Sequence, residues 1–257
     1  MKKKFGQNFL RDDNVLNKII SCVSLAEKDL VIEIGPGHGA LTKKLKQTNA
    51  QILCYEIDIE TKPYLDEMEN NKTTIKYGDF LKADIVDDLK KYSYDNLYVI
   101  ANLPYYITTP IIQKIIDSKI NPQKMLLMIQ KEVAERFNAK PRTREYNSLT
   151  VYLNYYFDIK SEFGVGRNCF YPVPNVDSTV ISMTRKNQEQ TIKSEDKFNE
   201  FLKTAFTQKR KTLKNNLGIV LFEKVYPILE KHGYLLSVRA EEIDLNTYIE
   251  IVNFLSE

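Results

Sequence analysis

The sequence has 257 residues, a formal net charge of +3, 43% hydrophobic residues and 28% charged residues. This ordinary composition excludes extensive disorder, and the length allows one sizeable core or a large domain with a small appendage. No apolar stretch reaches the about 18 residues that a membrane helix needs, and the first residues lack the apolar core of a secretory signal. We therefore predict a soluble intracellular protein.

Cysteine and histidine content argues against metal chemistry. The three cysteines, Cys22, Cys54 and Cys169, are far apart and lack the paired spacing of a zinc site. We predict that they are buried thiols. With two histidines, His38 and His232, the chain has little material for a histidine-centred site. No metal is expected.

Short apolar runs alternate with longer amphipathic segments from residue 30 onward, a pattern typical of strands and helices in a mostly parallel sheet. The predicted strands are residues 30–34, 52–55, 74–77, 97–101 and 125–129. A helix is predicted after the fourth strand, with Thr109 as its cap and Pro110 at its first position. Its isoleucines would cover the sheet.

The pattern changes after about residue 156. Residues 157–165 and 179–184 predict two strands joined by a proline-rich link, which would give the sheet an antiparallel finish. Residues 185–197 are polar and predict a linker, and helical spacing follows it. We predict a catalytic α/β domain at residues 1–185 and a small helical domain at residues 186–257.

A glycine-rich turn, EIGPGHG, follows the first predicted strand. Gly35 and Gly37 would let the backbone approach a ligand closely, because glycine has no Cβ. Glu56 ends the second strand, where a carboxylate can accept hydrogen bonds from both hydroxyls of a ribose. Asp79 follows the third strand and could accept from an adenine amine. Each carboxylate alone could be a solvated loop residue, but together they favour an adenosine-bearing cofactor.

The sequence NLPY closes the fourth strand, at the same edge of the sheet as the glycine turn and the two carboxylates. The side-chain oxygen of Asn102 and the carbonyl of Leu103 could hold both hydrogens of an aromatic amine and turn its lone pair toward an electrophile. Pro104 lacks an N–H and fixes the backbone. Tyr105 offers a face on which an unstacked base can lie. The alternative is an ordinary turn with a core tyrosine.

Four motifs together, FGQNFL, EIGPGHGALT, NLPY and FYPVPNVDS, resemble those of the S-adenosylmethionine-dependent ribosomal RNA adenine dimethyltransferases, the dimethyladenosine transferase family of small-subunit maturation. The resemblance implies a Rossmann-like class I methyltransferase with a mostly parallel seven-stranded sheet and a small all-helical C-terminal domain. It implies transfer of two methyl groups to N6 of each of two adjacent adenosines near the 3′ end of 16S rRNA in the immature small subunit. A monomer is expected.

The resemblance also assigns roles to individual residues. Asn8 and Leu10 would form a lid over the cofactor, and the glycine turn at Gly35 would hold its methionine end. Glu56 would bind the ribose, Asp79 the adenine, and Asn102 both cofactor and target amine. Phe170 resembles the aromatic residue that contacts the target base opposite Tyr105, with a hairpin core residue as the alternative. His38 stands where the family frequently has leucine, and Asn147 where it usually has glycine.

Basic residues cluster in three segments, as expected for binding a polyanion such as RNA. The clusters are Lys2, Lys3, Lys4 and Arg11; Lys140, Arg142 and Arg144; and Lys209, Arg210, Lys211 and Lys214. Any one of them could instead be a solvated face. The segment AFTQKRKTLKNNL resembles the family's helical domain, so Lys209, Arg210 and Lys211 are the first candidates for phosphate contacts.

Three other functions remain as alternatives. A resistance methyltransferase of large-subunit rRNA would use the same chemistry, but Leu103 favours small-subunit maturation because the resistance group more often has isoleucine there. A non-catalytic RNA-binding assembly factor would not need Glu56, Asp79 and Asn102. A dinucleotide oxidoreductase is disfavoured by the G-x-G-x-G spacing, which departs from the NAD pattern.

Overall fold

The computed structural model describes residues 8–187 and 191–257. The chain divides into two compact units, Met1–Ala134 with Lys160–Arg185 and Glu135–Ile159 with Lys186–Glu257. The domains predicted at residues 1–185 and 186–257 stay a prediction, and the unit with the C-terminal helices also includes residues 135–159. None of the helices in the described ranges is long and apolar enough to cross a membrane.

Nine strands lie in the described part of the chain. They are β1 (Phe9–Leu10), β2 (Asp29–Ile34), β3 (Gln51–Glu56), β4 (Thr73–Tyr77), β5 (Asn96–Asn102), β6 (Lys124–Gln130), β7 (Phe157–Val165), β8 (Phe170–Tyr171) and β9 (Ser178–Arg185). Seven of these form one sheet in the order β4-β3-β2-β5-β6-β9-β7. The strands β4, β3, β2, β5 and β6 are mutually parallel, and β9 runs antiparallel to β6. The predicted fold class, including the antiparallel finish, is confirmed.

Eleven α-helices lie within residues 8–187 and 191–257. They are α1 (Asp13–Ser21), α2 (Ala40–Leu45), α3 (Lys62–Leu65), α4 (Ile85–Leu89), α5 (Thr108–Asp117), α6 (Lys131–Phe137), α7 (Ser148–Tyr156), α8 (Glu195–Ala205), α9 (Leu213–Leu217), α10 (Ile219–Lys231) and α11 (Leu245–Phe254). Short 3₁₀ turns join several of them.

The order of the strands determines where a ligand can bind. The strands β3 and β5 lie on opposite sides of β2. The chain runs outward from β2 through β3 to β4 and then returns to place β5 on the other side of β2, so the strand order reverses between β2 and β5. Loops that leave the carboxyl ends of these two strands diverge and open a crevice. All six residues of β2 are buried, as expected for a central parallel strand covered on both faces.

The helix predicted after the fourth strand begins earlier than its sequence suggested. A 3₁₀ turn, Tyr105–Ile107, leads directly into α5 at Thr108, and no side chain caps the helix. Thr109 is therefore not the cap. Pro110 is tolerated in the first turn, because the N–H that it lacks would have no partner within the helix there.

A second, two-stranded sheet was not predicted. The strands β1 and β8 pair antiparallel, with Phe9 opposite Tyr171 and Leu10 opposite Phe170. Each strand has two residues, too few for a periodic pattern to reveal. This pairing joins the FGQNFL and FYPVPNVDS motifs, which are far apart in the chain.

The unit with the C-terminal helices has an aromatic core. Tyr155 packs on Phe198 with ring centroids 5.4 Å apart, and Phe201 packs on Tyr248 at 6.2 Å. Asn147 caps α7, because its side chain accepts hydrogen bonds from the N–H groups of the second and third helical residues at 2.9 and 3.2 Å. An asparagine cap thus starts the helix where the family usually has glycine.

Candidate active site

A cavity of about 710 Å³ opens at the carboxyl ends of β2, β3 and β5, within the size range of small-molecule sites. Its lining includes eight of the residues predicted to bind a cofactor or act in catalysis. The eight are Asn8, Leu10, Gly35, Gly37, Glu56, Asn102, Leu103 and Tyr105. Residues from three of the four motifs therefore meet Glu56 at one site.

The glycine turn is tightly covered on one side. Gly37 has a φ of +58°, and a Cβ at this position would lie 2.9 Å from the ring of Phe9. Gly39 has a φ of +76°, and its Cβ would meet the Met68 side chain at 2.3 Å. The left-handed backbone conformation favours glycine at both positions, and at Gly37 a Cβ would also crowd the Phe9 ring. The result is a narrow backbone cradle beneath Phe9.

Glu56 fixes the glycine turn from the end of β3. Its carboxylate is buried, and it accepts hydrogen bonds from the N–H groups of Gly37 and Asp58, each at 2.8 Å. Burial raises the pKa of Glu56, and the backbone hydrogen bonds oppose that shift. Each carboxylate oxygen keeps a second lone pair, so Glu56 can still accept hydroxyl donors from a ligand in the cavity.

Asn102 closes β5 and is held by the N-terminal segment. Its side-chain NH₂ group donates to the carbonyl of Asn8 at 3.2 Å. The N–H of Leu103 donates to the carbonyl of Met128 at 3.1 Å, which anchors the next peptide to β6. Since the amide nitrogen is used by Asn8, the amide oxygen is the part of Asn102 that suits an N–H donor from a substrate.

Tyr105 lies half-buried at the cavity. Its hydroxyl group is 2.8 Å from that of Ser178, the first residue of β9. Burial raises the pKa of Tyr105, so the phenol stays neutral at physiological pH. A ring anchored at its hydroxyl end has few ways to move, which suits a stacking surface better than a proton donor.

Two predicted site residues lie elsewhere. Asp79 begins a 3₁₀ turn, where its side chain accepts from the N–H of Leu81 at 3.0 Å, and it is not part of the cavity lining. Phe170 is 3% exposed and belongs to the hydrophobic core with Leu10 and Leu16. This position fits the alternative of a hairpin core residue. The predicted adenine contact of Asp79 and base contact of Phe170 stay predictions.

Glu33 is a cavity residue to which the sequence analysis gave no role. It is buried within β2, and the thiol of Cys54 lies 3.6 Å from its carboxylate. Burial raises the pKa of Glu33 to about 7, and the negative charge of Glu56 acts in the same direction. An acidic residue inside an apolar strand, as in LVIEIG, was the available signal.

The raised pKa of Glu33 predicts that stability depends on pH. Glu33 ionises near 4.5 when unfolded and near 7 when folded, so the folded state binds the extra proton between these values. The free energy of unfolding should therefore fall across this window by about 3 kcal/mol at most. Urea unfolding of the wild type and Glu33→Gln at several pH values measures this fall, which the variant should lack. The exposed Glu67→Gln is the control, and an unchanged pH dependence in Glu33→Gln would contradict the assignment.

The structure brings the second and third basic clusters together in the C-terminal unit. All six predicted RNA-binding residues there are exposed. The Lys209 ammonium group donates to the carbonyl of Arg144, and the N–H of Arg142 donates to the carbonyl of Glu241 at 2.7 Å. Lys2, Lys3 and Lys4 lie outside the described residues. The RNA contacts stay a prediction.

The sheet order and the cavity define the class of protein, since both are those of Rossmann-like methyltransferases. The fold is similar to that of a dimethyladenosine transferase from Plasmodium falciparum, with a TM-score of 0.76, 24% identity and 95% of each chain covered. It is also similar to the 23S rRNA methyltransferase ErmE, with a TM-score of 0.72, 22% identity and coverage of 97% of this chain and 100% of the other.

Sequence comparison gives the family. Residues 1–257 match the family model described as ribosomal RNA adenine dimethylase. The chain belongs to this family. Relatives named ribosomal RNA small subunit methyltransferase A include those of Onion yellows phytoplasma (strain OY-M), 45% identical over 96% of this chain and 93% of the relative, and Mycoplasma mobile, 43% identical over 96% and 95%.

Family membership confirms the predicted enzyme class and cofactor. The chain is a methyltransferase that uses S-adenosylmethionine and acts on ribosomal RNA. The alternatives of a dinucleotide oxidoreductase and a non-catalytic assembly factor are accordingly set aside. The roles of individual residues are a separate question, which the geometry above addresses.

Proposed function

We propose that the protein transfers two methyl groups from S-adenosylmethionine to N6 of each of two adjacent adenosines near the 3′ end of 16S rRNA. The substrate is the immature small subunit, and the enzyme acts as a monomer in the cytoplasm without a metal. The observation that carries the proposal is the meeting of Glu56 and Asn102 at one cavity. The relatives named small subunit methyltransferase A support the choice of subunit.

The residues of the cavity fit the cofactor. Glu56 is a buried carboxylate with lone pairs left for two ribose hydroxyls, and the open space at Gly35, beside Gly37 in the same cavity lining, suits the methionine end. Asn8 and Leu10 cover the cavity from the N-terminal side, and Asp79 would meet the adenine. When bound, the cofactor supplies an electrophilic methyl group on a sulfonium.

The protein's part in the reaction is to orient an amine. The N6 lone pair of adenine is shared with the ring, which makes it a poor nucleophile. The Asn102 amide oxygen and the Leu103 carbonyl would accept both N6 hydrogens and turn the lone pair toward the methyl group. The Tyr105 ring would support the unstacked base. This scheme needs no histidine base.

The proposal is tested by supplying labelled S-adenosylmethionine with three substrates: unmodified small subunits, large subunits and protein-free 16S rRNA. Label in N6,N6-dimethyladenosine of the small subunit is expected. Label in the large subunit would favour the resistance-type activity instead. Binding of small subunits without methyl transfer would overturn the proposed catalysis.

The exposed basic surface of Lys140, Arg142, Arg144 and Lys209–Lys211 gives a separate prediction. Removing Arg142 and Arg210 together should weaken RNA binding and reduce the slope of log K against log salt by about one for each lost phosphate contact. Filter binding at several salt concentrations measures both quantities. Exposed Lys203 and Lys224 of the same unit, replaced together by alanine, provide the matched control. Equal effects of the two double variants would refute a specific RNA surface.

A further inference from the structure

Three aromatic rings lie in contact beside the cavity. The rings of Phe9 and His38 are parallel to within 11°, with centroids 4.0 Å apart. His38 also contacts Tyr64, with centroids 4.4 Å apart and the ring planes tilted by 33°. The imidazole therefore contacts a ring of the N-terminal segment and a ring of α3. We name the segment Asn8–Arg11 the strap; like His38, it lines the cofactor cavity.

The strap is attached on two sides. Its backbone pairs with β8, the guanidinium group of Arg11 lies 4.1 Å from the ring centroid of Tyr171, and Leu10 packs in the hydrophobic core. Beside the glycine turn, the Phe9 ring covers Gly37 and stacks on His38. His38 is thus a side chain that fastens the strap to the glycine turn.

The strap also contacts the side-chain amide of Asn102. The carbonyl of Asn8, next to Phe9, accepts the hydrogen bond from the Asn102 side chain. A displaced Phe9 would move this carbonyl and release the amide to rotate. The stack on His38 is therefore linked through one residue to the group that orients the target amine.

We propose that His38 is a positioning residue that clasps the strap over bound S-adenosylmethionine. The inference rests on the proposed function for its cofactor, and it assigns to His38 a role through Phe9 and Asn8 rather than contact with the reacting atoms. Aromatic stacking supplies the contact. Burial, and then the positive charge of Arg11, lower the pKa of His38, so a neutral ring is stacked at pH 7.

The experiment measures binding of S-adenosylmethionine to the full chain by calorimetry, and its dissociation rate by stopped flow. His38→Ala should raise the Kd for S-adenosylmethionine by roughly threefold to tenfold and speed its dissociation by a similar factor. The reason is that the aromatic contacts of His38 with Phe9 and Tyr64 are lost. His38→Phe should restore both values. The KM for rRNA should not change, whereas the KM for S-adenosylmethionine should rise with Kd. Failure of His38→Phe to restore binding would overturn the clasp.

A double-mutant cycle with Phe9→Ala tests whether the two rings act as one device. Each single variant should weaken binding to a similar extent, and the double variant should be no weaker than either, because the stack is already lost. Effects that multiply would refute the coupling. His232→Ala, the exposed histidine of the other unit, is the control and should bind like wild type at an unchanged melting temperature. Since binding is measured without RNA, absence of rRNA methylation would count against the proposed function and leave this test intact.

Discussion

Replacement of Asn102 by alanine should reduce methyl transfer by about a hundredfold to a thousandfold, the range seen when one preorganised polar group is removed from an active site. The amine would lose one of its two acceptors, and its lone pair would no longer be aimed. Single-turnover assays with saturating S-adenosylmethionine and small subunits separate this loss from weaker binding. The fold should survive, because Asn102 is only half-buried at a strand end.

The same strand offers a matched control. Asn96 begins β5, at the end remote from the cavity, and its side chain donates to Asp29 at 2.9 Å. Asn96→Ala should cost about 2 kcal/mol of stability, because the acceptor is a buried carboxylate, and should leave the transfer rate unchanged. If Asn102→Ala turned over as fast as Asn96→Ala, the amide could not be orienting the amine.

Much of the fold could be predicted because the sheet is built from regular apolar runs. Each predicted strand agrees with an observed one to within one or two residues, since buried parallel strands need unbroken hydrophobic sequence. The β1–β8 pair escaped prediction because it depends on contacts between distant segments and produces no local period. The start of α5 escaped it because a 3₁₀ turn runs directly into the helix without a side-chain cap.

The candidate site was predictable where residues end consecutive strands. Glu56 and Asn102 follow β3 and β5, so the parallel sheet alone brings them to one edge. The position of Phe170 could not be derived in this way, because its burial follows from pairing with Leu10, which is 160 positions away in a chain of 257 residues. Glu33 was overlooked because a carboxylate inside a strand has no motif of its own.

Replacement of Glu56 by glutamine should weaken S-adenosylmethionine binding by about a hundredfold, more than the loss of a charge alone would suggest. Both carboxylate oxygens accept a backbone N–H, one from Gly37 and one from Asp58. Glutamine has one acceptor oxygen, so its NH₂ group must face one of these donors. A buried donor without a partner costs about 1 to 3 kcal/mol, and the glycine turn would lose its anchor together with the ribose contact.

Calorimetry with S-adenosylmethionine measures this loss, and filter binding shows whether RNA affinity changes less, as expected for a ribose contact. Glu67→Gln, at an exposed carboxylate between β3 and β4, should bind both ligands like wild type. Glu56→Ala removes both acceptor oxygens and the ribose contact together, so its affinity for the cofactor should fall at least as far as that of Glu56→Gln. Among the carboxylates of the described cavity lining, Glu56 alone accepts the Gly37 N–H. Similar cofactor binding by Glu56→Gln and wild type would therefore show that the ribose lies elsewhere.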